Sequence, residues 1–175
     1  MNYKIVSDSS SNVFTLEGAN YTTVPMKIIA GEKEYIDTRA LDLMGMVTDL
    51  QNHKGKSGSS CPNTMEWLDA FGDGDNVFAV TISRNLSGSY NSACEAGRIY
   101  MEENPGKKVH VFNDLTAGPQ QAFLNEKVLE LAAQGLDFET IQEKALEMGL
   151  IENYNVFLLG PSGSGKSFFM NKVRK

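Results

Sequence analysis

Three segments of this 175-residue sequence gather the small polar residues from which anion-binding sites are made. Ser83-Arg84-Asn85-Leu86-Ser87-Gly88-Ser89 leads from an apolar run into a helical pattern. The free N–H groups of a first helical turn, the helix dipole and the Ser87 hydroxyl would together seat a carboxylate or a phosphate. Ser87 acting only as a helix cap is the competing reading, because serine is a favoured N-cap residue. Gly55-Lys56-Ser57-Gly58-Ser59-Ser60-Cys61-Pro62 reads as a polar, flexible loop that could turn a second hydroxyl cluster toward the same anion, and equally as a surface loop with a cap. Near the end, Gly160-Pro161-Ser162-Gly163-Ser164-Gly165-Lys166-Ser167 fits G-x-x-x-x-G-K-[ST] after the apolar Val156-Phe157-Leu158-Leu159. There Gly160, Gly163 and Gly165 would let backbone amides wrap the phosphates of ATP or GTP. Lys166 would neutralise their oxygens and Ser167 would ligate Mg²⁺. Only eight residues follow Ser167, so an acid for the metal would have to come from an earlier strand, and Asp114 is best placed.

The elements that must position these segments alternate along the chain. Tyr3–Ser7 reads as a strand followed by the cap-forming Asp8-Ser9-Ser10-Ser11-Asn12. Val24–Ile29 reads as a second strand, turning at Gly31-Glu32 into Lys33–Asp37 as a hairpin at a sheet margin, where Pro25 costs least. A helix follows over Asp42–Gln51, and another carries Met65, Trp67 and Leu68. Val77–Ile82 is the continuous apolar run of a strand buried on both faces, and Val109–Phe112 repeats it. Between them Tyr90, Ala93, Cys94, Gly97 and Met101 recur at helical spacing. Gln120–Ala133 and Phe138 to Met148 form two further helices, with Gly135 stopping the first and Asp137 capping the second, and Asn155–Leu159 reads as a last strand. This order predicts an α/β fold of three layers, α/β/α, around a mainly parallel sheet. Ligands in such folds bind at the carboxyl ends of the strands, which selects the loops at Asp8–Asn12, Ser83–Ser89, Asn113–Pro119 and Gly160–Lys166.

Composition narrows the chemistry. No apolar run is long enough to span a bilayer, so stable membrane insertion is not expected. The N-terminus enters a strand directly, without a signal-peptide pattern. Cys61 and Cys94 make neither a disulfide framework nor a metal cluster, which fits a reducing cytoplasm. A net charge of −6 argues against nucleic acid. That charge is uneven: Lys166, Lys172, Arg174 and Lys175 make the last ten residues basic and leave residues 1–165 at −10. No G-x-S-x-G elbow supports a serine hydrolase.

Taken in order, several segments resemble the successive motifs of the N-terminal domain of DegV proteins. They are Val6-Ser7-Asp8-Ser9-Ser10, Val24-Pro25-Met26-Lys27-Ile28, Gly58-Ser59-Ser60-Cys61-Pro62, Val80-Thr81-Ile82-Ser83, Leu86-Ser87-Gly88-Ser89-Tyr90-Asn91-Ser92-Ala93 and Ala117-Gly118-Pro119. The resemblance runs from residue 3 to about 158. It implies a FakB-type carrier with no catalytic residues, no metal and no cofactor. Such a carrier binds a long-chain fatty acid by its carboxylate and presents it to a separate fatty acid kinase, in the service of phospholipid synthesis. The family's carboxylate-binding hydroxyl of the Thr-Ser-x-Pro motif falls on Ser59, a serine in place of threonine. Its Leu-Ser-Gly motif puts Ser87 and the Gly88 amide at the same head group, with Asp8 and Ser9 supporting the adjoining loop. A complete DegV protein has a second domain that covers the acyl chain and supplies a histidine, a role that neither His53 nor His110 fills by position. The expected organisation is therefore a lipid-binding domain over residues 1–159, able to dimerise over exposed apolar surface. Residues 160–175 follow as a P-loop-like tail belonging to a truncated or fused segment. The alternative to the carrier is an ATP- or GTP-binding protein using that tail.

Overall fold

The computed structural model describes residues 3–113 and 117–149. Its main sheet is wholly parallel, in the order β2-β1-β6-β7. These strands are β1 (Tyr3–Asp8), β2 (Tyr21–Val24), β6 (Asn76–Thr81) and β7 (Lys108–Asn113). In β1 and β6 nearly every residue is buried, as strands covered on both faces require. Successive side chains then point to opposite faces and build two cores. Ile5, Phe78, Val80 and Phe112 pack against α4 (Pro119–Ala133) and α5 (Phe138–Gly149). Val6, Val24, Val77 and Ala79 pack against α2 (Thr64–Phe71) and α3 (Ser89–Glu103). The predicted three-layer arrangement is therefore present. The first core is aromatic: Phe78 stacks on Phe138 at 4.7 Å between ring centroids and on Phe112 at 6.0 Å. In the second, Gly97 of α3 lets β7 approach closely, since a Cβ there would lie 3.1 Å from Val109 Cγ1.

Three expectations need correction. Val24–Ile29 is not one strand. Pro25 has no N–H to continue the ladder, so β2 ends at Val24 and β3 (Lys27–Ala30) starts a separate antiparallel sheet. The hairpin through Gly31-Glu32 does form between β3 and β4 (Lys33–Ile36), with Gly31 at φ +64°, but it lies in this second sheet. The segment expected to be a loop at Gly55–Pro62 contains β5 (Ser57–Ser60), paired antiparallel with β3. Serines and a glycine give no apolar alternation, so backbone pairing with β3 sets this strand. Finally, β7 is the outer strand among the described residues and only Phe112 in it is fully buried. The expected last strand at Asn155–Leu159 lies outside the described residues.

The helix ends follow local chemistry. Asp42 accepts from the Gly45 amide at 3.0 Å to cap α1 (Leu43–Asn52). Asn63 and Glu66 form a reciprocal capping box on α2. Asp137 accepts from Thr140 N at 2.8 Å to start α5, after Gly135 at φ +74° ends the preceding helix. No helix among the described residues is long and apolar enough to cross a membrane.

Among the described residues, Trp67, His110 and Asn125 carry buried polar atoms without a hydrogen-bond partner. Asn125 on α4 is fully buried, and neither polar atom of its amide has a partner among the described residues. Asn125→Leu is of similar size and removes an uncompensated polar burial, so it should raise unfolding free energy by about 1–2 kcal/mol in urea titrations. His110, in β7, meets Phe112 edge-on and its Nε2 is buried without a partner. Burial pushes this imidazole down to about 4. Because the unfolded chain binds the proton more readily, His110's contribution is intact above about pH 6.5 and is lost as pH falls from there toward about 4. Urea titrations across that window should show a loss of roughly 1–2 kcal/mol, reduced by the ring's partial exposure, that His110→Leu lacks.

Candidate functional site

The carboxyl ends of β1 and β6 lie side by side, and the residue that joins them is Asp8, whose side chain is fully buried. Its Oδ2 accepts from the Ile82 amide at 3.0 Å and the Ser89 hydroxyl at 2.7 Å. Its Oδ1 accepts from Gln121 Nε2 at 3.0 Å. Ser10 Oγ lies 2.5 Å from the same oxygen and 2.9 Å from Gln121 Oε1, and its single proton serves one of the two. Gln121 Oε1 also accepts from the Gly118 amide at 3.2 Å. Through one carboxylate, β1, the loop after β6, the first turn of α3 and the first turn of α4 are held together. No ion pair reaches Asp8 among the described residues, so hydrogen-bond donors carry the whole burden of its burial.

The loop from Ser83 to Ser89 is fixed at both ends. Ser83, itself buried, accepts at its carbonyl from the amides of Leu86 (2.9 Å) and Ser87 (3.1 Å). Arg84 N donates to Asn113 Oδ1 of β7 at 2.8 Å. Gly88 occupies the cap position of α3, and its φ of −75° asks nothing special of the backbone. Ser87 lies just outside that cap. Its Oγ accepts from the Ser89 amide at 3.2 Å, a local turn bond that leaves the hydroxyl proton without an acceptor among the described residues. Ser87 thus serves the first free amide of α3, as the cap reading expects, and its hydroxyl proton is what remains for a ligand.

Ser9, the next residue after Asp8, serves the other sheet. Its buried hydroxyl donates to Asp37 Oδ2 at 2.6 Å and accepts from Met26 N at 2.9 Å. It thus pins the Pro25-Met26 junction where the chain leaves the main sheet. From there β3 runs beside β5, with Ile28 opposite Ser59. Lys27 adds an ion pair to Glu66 of α2 at 2.7 Å, and that hydrogen bond to a carboxylate holds its ammonium above the usual lysine range. Ser59 is exposed. Cys61 follows directly after β5, and a Cβ on Gly88 would lie 3.3 Å from Cys61 Sγ. The segment bearing Ser59 therefore abuts the cap of α3 beside Ser87, and glycine at position 88 leaves room for that approach.

The structure thus brings the segments of Ser59, Ser87 and Gly88 together, with Asp8 and Ser9 behind them. Sequence reasoning missed Gln121 and did not single out Ser10. A signal for Gln121 existed, because a glutamine three residues after Gly118-Pro119 is the position from which a side chain reaches back to the cap amide. Gly160, Gly163, Gly165, Lys166, Ser167 and Asp114 lie outside the described residues. Among those described, no cluster of three or more His, Cys, Asp or Glu could hold a metal ion.

Known proteins match this arrangement. A model of the family described as "Uncharacterised protein, DegV family" matches residues 2–154, and the chain belongs to the DegV family. A DegV domain-containing protein of Streptococcus gordonii is 36% identical over 148 residues, covering 82% of this chain and 53% of that protein. The chain thus spans about half the length of the curated relatives it matches. Among solved structures, a DegV family protein from Eubacterium eligens loaded with heptadecanoic acid is 36% identical with a TM-score of 0.82, over 84% of this chain and 53% of that one. The Streptococcus pneumoniae Fatty Acid Kinase (Fak) B3 protein loaded with linoleic acid is 31% identical with a TM-score of 0.81, over 90% of this chain and 62% of that one.

Gln121→Met removes a donor from Asp8 and the acceptor of the Gly118 amide while keeping the side chain's length. It should lower unfolding free energy by about 2–3 kcal/mol, measured by chemical denaturation.

Proposed function

We propose that this chain holds a long-chain fatty acid by its carboxylate, between the hydroxyls of Ser59 and Ser87 with the Gly88 amide. It then presents the acid to a separate fatty acid kinase and performs no chemistry itself. The observation that carries this reading is the approach of the Cys61 segment to Gly88, which sets two hydroxyl-bearing segments from different sheets against one helix cap. Ser87's free proton and the α3 dipole both suit an anion there. Relatives whose structures were solved with heptadecanoic and linoleic acids support the choice of ligand. Free Cys61 and Cys94 are compatible with work in a reducing compartment, the cytoplasm. A homodimer would be one way to cover the acyl chain.

Native mass spectrometry of the purified chain after incubation with oleic acid tests this. One fatty acid per chain is expected, with occupancy reduced about tenfold or more in Ser87→Ala. A chain that takes up no fatty acid would sink the reading. Acyl phosphate formed only when loaded chain, a fatty acid kinase and ATP are mixed would establish the partner.

A further inference from the structure

We infer that Asp8 is the positioning residue of the carboxylate seat, acting on the ligand through Ser89 and Ser87. The inference rests on the fatty-acid reading above and adds to it which donors the head group can use. Oδ2 of Asp8 accepts from the Ile82 amide and the Ser89 hydroxyl, and Oδ1 accepts from the Gln121 amide. That fixes the proton of Ser89 toward Asp8 at 2.7 Å and the Gln121 amide toward it at 3.0 Å. Neither group is then free to meet a ligand. Held by its side chain, Ser89 directs its backbone amide at Ser87 Oγ, 3.2 Å away. Occupying an acceptor position of Ser87 turns the hydroxyl's one proton outward. The order is therefore Asp8, Ser89, Ser87, ligand, and the first member is a fully buried charge that never touches the head group. The Ile82 amide, also bound to Asp8, anchors the start of the same loop.

Asparagine at position 8 keeps the size but replaces one acceptor oxygen with an N–H donor, so one of the two pairs of groups that meet Asp8 must rearrange and the Asp8–Ser89–Ser87 order is loosened. A structural role alone would weaken every ligand equally, whereas a role in orienting Ser87 weakens only ligands that carry a carboxylate. The experiment is equilibrium binding of radiolabelled palmitic acid and of 1-hexadecanol, which has the same chain without the carboxylate, to the full chain and to Asp8→Asn. Palmitic acid should bind about tenfold more weakly to the variant, with hexadecanol within about twofold of wild type. Ser89→Ala, which keeps the amide that meets Ser87, should shift the acid in the same direction by less. If Asp8→Asn does not fold, the same contrast in Ser89→Ala decides. Equal losses for acid and alcohol, or no loss for the acid, overturn the inference. Wild-type chain that binds neither ligand, or does not prefer the acid, overturns the fatty-acid reading instead.

Discussion

A carboxylate placed inside a protein without a cation must be surrounded by hydrogen-bond donors, because left unpaired it costs several kcal/mol. Asp8 imposes that requirement at the carboxyl end of β1, where four donor groups converge on it. They come from the loop after β1, the loop after β6, the first turn of α3 and the first turn of α4. None of these segments can shift without stranding the charge. The main sheet supplies the frame: β1 has β2 on one side and β6 on the other, so Asp8 stands at the end of a strand held from both sides.

Ser9 extends the same constraint in the opposite direction. Being adjacent in sequence, Asp8 and Ser9 turn their side chains to different neighbours, one toward α3 and α4, the other toward Met26 and Asp37. The small antiparallel sheet hangs from the main sheet at the Pro25-Met26 junction, and the Ser9 hydroxyl fastens it there. The two halves of the candidate seat are thus referenced to two consecutive residues. The Ser87 half is placed through Asp8 and the Ser59 half through Ser9. The small gap that Gly88 leaves for Cys61 lets the halves meet.

What the sequence revealed follows from what leaves a periodic trace. Val77–Ile82 and the helical spacing from Tyr90 to Met101 were legible because burial on one or both faces imposes a period on apolar residues. Gly135 and Asp137 were legible because caps have narrow chemistry. The division of Val24–Ile29 was not read, although Pro25 marked it, because apolar character runs unbroken across the junction. Ser57–Ser60 was hidden for the opposite reason: a strand of serines and glycine has no apolar face, and only its partner β3 makes it a strand. In the site, residues that would present protons to a ligand were found through loop composition and family motifs. Gln121 was not, since its role depends on a contact 113 residues away with Asp8.

That distinction between hydroxyls separates framework from function here. Ser9, Ser10 and Ser89 resemble Ser59 and Ser87 in composition, and all fall in the same polar loops or beside them. The first three have their protons taken up by Asp8, Asp37 or Gln121, and the buried position of Ser9 and Ser89 keeps them there. Among the described residues Ser87 accepts a bond and gives none, and Ser59 is exposed on a strand paired on one side with β3. On the proposed reading, the carboxylate would draw on hydroxyls outside the Asp8 and Asp37 networks. The acids that satisfy the inner serines make the outer ones available, so the same residues that hold the sheet ends together determine which hydroxyls a ligand can reach.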